Sequence, residues 1–563
     1  MSENNENNDP QLGTSAVMKA DNGEQLIPSP PHENLEPVPS SERLGVMDSL
    51  RGIALIGILM MNIEWFNRPT SELGRFDSSL NGYDYGASFF VKLFVEGKFY
   101  KLFALLFGMG FAVMLIKAQQ SGRPFASMFV RRMSALFIFG MAHYIFIWDG
   151  DILHDYAFAG LLLLGWVQLT KTKFFSRFSK PRSFLRFGLS VLCLPVVIGI
   201  GMGTWHGLTN DNNELAEQWS ERQEAVVLSK KLIAEGALEK EDEEEETSSD
   251  ESSVNSETEE VASSSDKQNG IESSADDLEA SAEDSTVAKT EGDETEAGDA
   301  KKEEPKDVDE MTREERIEHF ADRIIKSKKR RQKSAEEEIT AVTGSYSDGV
   351  AFRAESAPGA MGQTIGFSLM MLFPIFMIGY WLVASGVLNN PKKHGAIFKS
   401  LAIVGLLVGL GTTLIALTIM QYPPTMDIRM LRNNAGGMFQ FSQYVVAAGY
   451  LGAMVWMYQT NFMRKVLDIF APIGRMALTN YIMHSLILGF IFYGYGQSMF
   501  GQILRADQML IVAAIIFGQL IISTLWLKAF RFGPLEWLWR CLTYKKLQPM
   551  KRSKTLNGEA AVV

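Results

Sequence analysis

The stretch RLGVMDSLRGIALIGILMMNIEWF, Arg43 to Phe66, reads as one membrane-crossing helix, because its apolar run matches the roughly 20 residues that a hydrocarbon core demands. Yet it carries a carboxylate, Asp48, a guanidinium, Arg51, and an amide, Asn62. Asp48 and Arg51 are three apart, so they are neighbours on a helix. Arg51 and Asn62 are 11 residues apart, about three full turns, which puts all three polar groups on one face. Charges in a span are costly and turn toward protein rather than lipid. That face is therefore expected to line an interior. Its charged pair sits at one end of the helix, and Asn62 lies about 16 Å further along. The plainer reading of Asp48 and Arg51 is an interfacial salt bridge that anchors the helix.

The rest of the chain fits a membrane protein. Its 563 residues hold two opposite compositions. Residues 236–310 contain 29 Asp or Glu, 6 Lys and no aromatic residue, a net charge of −23 within a chain of −12. The remainder is thus +11 and holds long apolar runs, the signature of a polytopic membrane protein with a polar insertion. The insertion cannot bury enough apolar surface to fold by itself. Two cysteines, Cys193 and Cys541, make no disulfide framework, and no metal-ligand spacing surrounds them.

Ten apolar stretches are long enough to span, near 46–66, 98–117, 131–148, 152–170, 186–206, 362–387, 397–420, 438–460, 474–495 and 508–530. Lys and Arg concentrate in alternate connections: 117–132, 171–186, 388–399, 461–475 and the C-terminal tail. The positive-inside rule puts all of these, and both termini, in the cytoplasm. The expected architecture is all-α, a bundle of about ten transmembrane helices with a long acidic extracytoplasmic insertion. Its parts are a disordered cytoplasmic tail (1–45), a membrane half of five spans (46–206), an acidic and largely disordered outer loop (207–360), a second half of five spans (361–545) and a basic cytoplasmic tail (546–563). The loop's flanks, about 214–235 and 312–340, read as charged helices laced with opposite-charge pairs.

Polar residues inside the spans are the candidates for function. His143 lies about 18 Å along the third span from Arg131. It is followed by the outer turn WDGDILHDYA, Trp148 to Ala157, where Asp149, Asp151, His154 and Asp155 cluster. A histidine paired with Asp149 or Asp151 suits a general base. Asp151 also reads as a helix N-cap. In the ninth span, Asn480 and His484 are four apart and share a face; they are either a second polar site or structural glue between helices. Arg131 and Arg132 stand at the cytoplasmic start of the third span. The basic residues are membrane-side signals, so nucleic acid is not an expected partner. Phosphate loops, dinucleotide glycine patterns and nucleophile elbows are absent from any credible context.

Five motifs carry a resemblance: DSLRGIALIGILMMNI (48–63), EGKFYKLFALLFGMGF (96–111), GDILHDYA (150–157), GRMALTNYIMHSL (474–486) and RFGPLEWLWR (531–540). In this order they resemble the YeiB family of bacterial inner-membrane proteins, built on domain of unknown function 418. The Asp-x-x-Arg-Gly opening is also similar to that of transmembrane acyltransferases. That resemblance implies transfer of an acyl group from cytoplasmic acyl-coenzyme A, as donor substrate rather than bound cofactor, to an acceptor in the envelope. It implies that a histidine acts as base or acyl carrier; His143 and His484 are candidates by depth and face.

On this reading the catalytic candidates are His143, Asp151 and His484. Asp48, Arg51, Asn62, Asp149, Asn480, Arg131 and Arg132 would contact substrate, with membrane lipids as the surrounding partners. Two other readings stand beside it. Polar groups between two halves also suit a transporter of a small polar solute, although no internal repeat and no matching pair of Gly/Pro-broken spans is visible. A non-enzymatic scaffold or sensor would work through the acidic loop.

Overall fold

A computed structural model describes residues 45–73, 80–122, 124–209, 212–236, 311–388, 390–421 and 429–552. The N-terminal tail to residue 44, the acidic segment 237–310 expected to be disordered, and residues 553–563 lie outside the described residues. Each of the ten apolar stretches is helical. The helices are α1 (Gly45–Asn67), α2 (Gly82–Phe90), α3 (Phe99–Gln120), α4 (Ala126–Phe146), α5 (Leu153–Leu169), α6 (Pro181–Thr209), α7 (Asn212–Ala234), α8 (Arg313–Thr343), α9 (Tyr346–Phe367), α10 (Phe373–Ala384), α11 (Gly395–Gln421), α12 (Arg429–Met457), α13 (Asn461–Asp468), α14 (Ala471–Arg475), α15 (Ala477–Phe492), α16 (Arg505–Ala529) and α17 (Pro534–Tyr544). Among the described residues, six helical stretches are long and apolar enough to cross a membrane: Gly45–Asn67, Gly82–Gln120, Pro181–Gly199, Tyr346–Ala384, Gly395–Gln421 and Arg505–Ala529. Of the rest, α5 and α15 are shorter, at 17 and 16 residues.

Hydrogen bonds sort the connections into two ends. At one end Ser49 donates to Asp468, Arg131 to the Thr543 carbonyl and the Trp539 indole to the Arg132 carbonyl. This is the basic end, where the Lys/Arg-rich connections meet the C-terminal helix. At the far end the Asn67 amide reaches the Ile503 carbonyl, the Ala506 amide reaches Asp84, and Tyr346 donates to the Phe146 carbonyl.

Lipid offers helices no hydrophobic incentive to associate, so close backbone packing has to hold them. Small residues mark the tightest crossings. A Cβ at Gly474 would lie 1.9 Å from the Asp48 carbonyl oxygen, and one at Gly52 would lie 2.1 Å from that of Phe470. Glycine is thus required where α1 meets α14. Gly108 and Gly379 do the same between α3 and α10.

Two interruptions depart from the sequence reading. A π turn, Val91–Val95, precedes α3, and a second, Ser368–Leu372, precedes α10. Between the first and α3 the chain breaks at Glu96–Gly97–Lys98, where Gly97 has φ +75°, a conformation that glycine adopts without strain. Broken elements therefore occur ahead of two helices that pack together. The π turns themselves need neither glycine nor proline, but the break after the first falls at Gly97 and Pro374 follows the second.

The flanks of the acidic segment form a hairpin of α7 and α8. Arg316 Nε bonds Glu221 at 3.1 Å to both oxygens, Arg313 pairs with Glu224, and Ala225, Val226, Ile317, Ala321 and Ile324 pack beneath. The other end of α8 docks on the membrane body. There Glu338 accepts from the Thr70 amide at 2.9 Å and its hydroxyl at 2.7 Å. Burial pushes the Glu338 carboxyl up from its ordinary pKa.

Candidate functional site

A cavity of about 290 Å³ opens near the basic end and runs into the bundle. From α1 it takes Met47, Asp48, Arg51, Leu55 and Ile58, the face picked out by the first polar stretch. Its mouth holds four guanidinium groups, Arg51, Arg132, Arg475 and Arg540, against two carboxylates, Asp48 and Glu536. Its wall is apolar: Leu55, Ile58, Phe103, Leu106, Phe107, Val113 and Leu136. The deep end is closed by Ile152, Leu153, Tyr156 and Tyr481.

Local structure fixes the mouth. Arg51 pairs with Asp48 at 2.9 Å. The Arg132 guanidinium stacks over the Trp539 ring at 3.5 Å, a contact that holds a planar cation while leaving its edge to bond elsewhere. Pro534 begins α17 as an N1 proline. The Glu536 carboxylate then reaches the start of α15, accepting from the Leu478 amide at 2.6 Å, the Thr479 amide at 3.0 Å and the Thr479 hydroxyl at 2.6 Å. A carboxylate at a helix N-terminus satisfies donors that the helix leaves orphaned. Burial nevertheless pushes this carboxyl up from its ordinary pKa.

Behind the deep end lies a buried triad. Asp151 accepts from His143 Nδ1 at 2.8 Å through one oxygen. Its other oxygen takes His154 Nδ1 at 2.8 Å and the His154 amide at 3.1 Å. Gly140 lets α4 approach this turn, since a Cβ there would meet the His154 amide nitrogen at 2.4 Å. Burial pushes the Asp151 carboxyl up, but the hydrogen bonds and charges of the two imidazoles outweigh it and hold the pKa below the ordinary carboxylate range. His154 Nε2 meets the Thr364 hydroxyl at 3.0 Å. His143 Nε2 has no partner, although the residue is 2 % exposed. The His143 ring lies 5.2 Å from that of Tyr481, which borders the cavity. With Nδ1–H donated to Asp151, Nε2 presents a lone pair, the arrangement of a general base held in one tautomer.

The other candidate residues go elsewhere. His484 bonds Gln519 at 2.7 Å, Gln519 donates to the Asn480 carbonyl, and Asn480 donates to Ser523. These residues knit α15 to α16. Asn62 is half-buried one turn past Ile58, the last cavity residue of α1. Arg131 is spent on the Thr543 carbonyl at 3.1 Å, so of the two adjacent arginines only Arg132 lines the cavity. Asp149 lies at the far end, where burial pushes its carboxyl up against the opposing charge of Arg353.

The sequence gives no site role to His154, Tyr481 or Glu536; Arg475 reads there as a cytoplasmic loop charge, and Trp539 and Arg540 as part of an interfacial segment after the last span. Tyr481 was hidden by its neighbour: Asn480 and His484 define one face of α15, and Tyr481 sits 100° around from Asn480 on the face of Ala477 and Leu478. A second buried polar cluster lies in the wall between α3 and α12. Lys98 is fully buried and donates to the Lys92 carbonyl at 2.6 Å; Lys101 bonds the Gln443 side chain and lies over the Tyr100 and Tyr444 rings.

Among the described residues, the fold and its cavity define a helical membrane protein with an internal polar site. Residues 382–546 match the family described as "Protein of unknown function (DUF418)". The chain is 27% identical over 530 residues to the uncharacterized protein YxaH of Bacillus subtilis, covering 92% of this chain and 98% of that one. It is 22% identical over 520 residues to the uncharacterized protein YeiB of Escherichia coli, covering 90% and 98%. A third relative, an uncharacterized 39.9 kDa protein of Bacillus acidopullulyticus, is 37% identical over 137 residues, covering 24% of this chain and 38% of that protein. The family match and the near full-length likeness to YxaH and YeiB support assignment of the chain to the YeiB/DUF418 family. No solved structure matches it.

Proposed function

We propose that this protein is an acyltransferase of the bacterial cytoplasmic membrane, spanning it ten times with both termini in the cytoplasm. It moves an acyl group from cytoplasmic acyl-coenzyme A to a hydroxyl or amine acceptor of the envelope. The observation that carries this reading is the cavity, cationic at its mouth and apolar along its wall, that leads toward an unpartnered imidazole. Arginines suit phosphates because their fixed donors match phosphate oxygens. An apolar wall suits an acyl chain. Arg132 and His143 are 11 residues apart on α4, about 16 Å, so a donor anchored at the mouth needs an extended arm to reach the base.

The chemistry balances without another reagent. His143 Nε2 takes the acceptor's proton while the acceptor heteroatom attacks the thioester carbonyl carbon. The tetrahedral intermediate collapses, the carbon–sulfur bond breaks, and the imidazolium returns the proton to the leaving thiolate. Asp151 holds the ring and stabilises the imidazolium. In this conformation the side away from the cavity is packed by Phe66 stacked on Trp148 at 4.4 Å and on Tyr493 at 5.6 Å. The acceptor arrives from that side.

Purified protein should slowly release coenzyme A from acyl donors as water replaces the acceptor. His143→Gln should lower that rate by roughly 10²–10⁴-fold. A wild-type protein that cleaves no donor from acetyl to long-chain overturns the reading. Reporter fusions at Asp211 and Lys393 should fall on opposite sides of the membrane; the same side would sink the topology. One observation favours transport of a polar solute instead: the break at Glu96–Gly97–Lys98 lies among three buried lysines, Lys92, Lys98 and Lys101, since discontinuous helices often mark solute sites. Proteoliposomes that exchange a solute without cleaving a thioester would select that reading.

A further inference from the structure

Two buried polar atoms without a partner sit on neighbouring rings, one of which borders the cavity. Among the described residues, four buried side-chain N or O atoms make no hydrogen bond, and two of them are His143 Nε2 and the Tyr481 hydroxyl. The other two, on Asn67 and Trp166, border no part of the cavity. The His143 and Tyr481 rings are 5.2 Å apart and tilted by 51°, yet Nε2 and the hydroxyl do not bond each other. The hydroxyl lies toward the Ile152 amide, which uses only its acceptor side and leaves its proton unspent. Leaving one such atom unsatisfied in a buried place costs free energy. Leaving two on adjacent rings, one of them at the end of a cavity, points to a group bound between them, as in a clamp.

The chemistry of the clamp defines what fits. Nδ1 of His143 donates to Asp151, so Nε2 accepts. The Tyr481 hydroxyl donates. A neutral hydroxyl group satisfies both at once, giving its proton to Nε2 and taking one from Tyr481. A carboxylate has no proton for Nε2. An ammonium group has no lone pair for Tyr481. The apolar wall from Leu55 to Leu136 gives an alcohol on an apolar stem a path to the clamp from the cavity side, while the acceptor of the proposed transfer comes from the opposite side.

We propose that Tyr481 and His143 together bind one neutral hydroxyl group, and that Tyr481 is a substrate-contacting residue of this site. This rests on the acyl-transfer reading only in naming that hydroxyl as the acceptor; the clamp itself stands on the two unpartnered atoms. In transfer, Tyr481 fixes the acceptor oxygen while His143 removes its proton.

The test uses full-length protein in detergent with 1-hexanol and sodium hexanoate as probes, read by thermal unfolding. 1-Hexanol should stabilise the wild type saturably and hexanoate should not. Tyr481→Phe and His143→Gln should each weaken 1-hexanol at least tenfold. Without probe, Tyr481→Phe should unfold close to the wild-type temperature, losing no more than the one contact from the Ile152 amide, because its hydroxyl bonds no other side chain. Equal stabilisation by hexanoate, no saturable effect of 1-hexanol, or undiminished 1-hexanol affinity in Tyr481→Phe would each overturn the clamp. A large loss of stability in unliganded Tyr481→Phe would do so too, by showing that the hydroxyl is already bonded. Thioester cleavage by the wild type separates the two ideas. A clamp without cleavage rejects acyl transfer alone, and cleavage without a hydroxyl preference rejects the clamp alone.

Discussion

Replacing Asp151 by asparagine should abolish base chemistry while sparing the fold, and the reason lies in an asymmetry between the two carboxylate oxygens. One oxygen takes a single donor, His143 Nδ1; the other takes two, His154 Nδ1 and the His154 backbone amide. An asparagine amide group must turn toward one side. Against His154 it would oppose a backbone N–H, which cannot change its proton. Toward His143 it opposes only an imidazole, which can shift tautomer. The amide therefore faces His143, Nδ1 becomes an acceptor, and the proton moves to Nε2. The lone pair that faces the cavity side disappears. Stability should fall little, by about 1–2 kcal/mol, since every hydrogen bond is remade with a weaker neutral acceptor. Donor cleavage should fall by roughly 10²–10⁴-fold, the usual worth of a general base. Asp151→Ala differs: it strands three buried donors, and at about 1–3 kcal/mol each the loss approaches the whole stability of a domain. The assay pairs thermal unfolding in detergent with coenzyme A release. A folded Asp151→Asn protein with full cleavage activity would refute the tautomer argument and, with it, the role of His143.

Three further outcomes follow from packing. Gly474→Ala should sharply reduce the yield of folded protein, because its Cβ would lie 1.9 Å from the Asp48 carbonyl; Gly165→Ala, with nothing within 4 Å, should change stability by no more than about 1 kcal/mol. Size-exclusion profiles of the two variants check this. His484→Gln should lose about 1 kcal/mol of stability, the net worth of one hydrogen bond, and keep its cleavage rate; a dead but folded His484→Gln would move the chemistry to α15. Deleting 237–310 should leave cleavage intact, and its loss would favour the loop-based sensor.

The fold was legible where physics acts along the chain. Apolar length located the ten helical stretches, and i, i+3 spacing located the Asp48–Arg51 pair, found at 2.9 Å. The partnership of His143 and Asp151 was within reach because the two are separated by one turn of chain. Periodicity could not tell which face of α15 meets which neighbour: it singles out His484, which bonds Gln519 on α16, and passes over Tyr481, which borders the cavity. The mouth was the least visible part. Glu536, Trp539 and Arg540 follow the last long apolar helix and read as an interfacial segment, but Glu536 reaches back to cap α15 and carries Arg540 to the cavity with it. Such a long-range return leaves no local pattern.

The α7–α8 hairpin bears on how this chain has room to change. Its far end, where residues 234 and 313 close the strut, stands 25 residues along α8 from Glu338, about 38 Å from that anchor. A segment inserted there joins helices already held together by Arg313–Glu224 and Arg316–Glu221, ten residues before the end of α7. Doubling its length adds only about 0.6 kcal/mol of closure entropy. Natural variation can therefore lengthen, shorten or recode that stretch almost freely, and a fluorescent protein or affinity tag grafted there would leave the membrane body undisturbed.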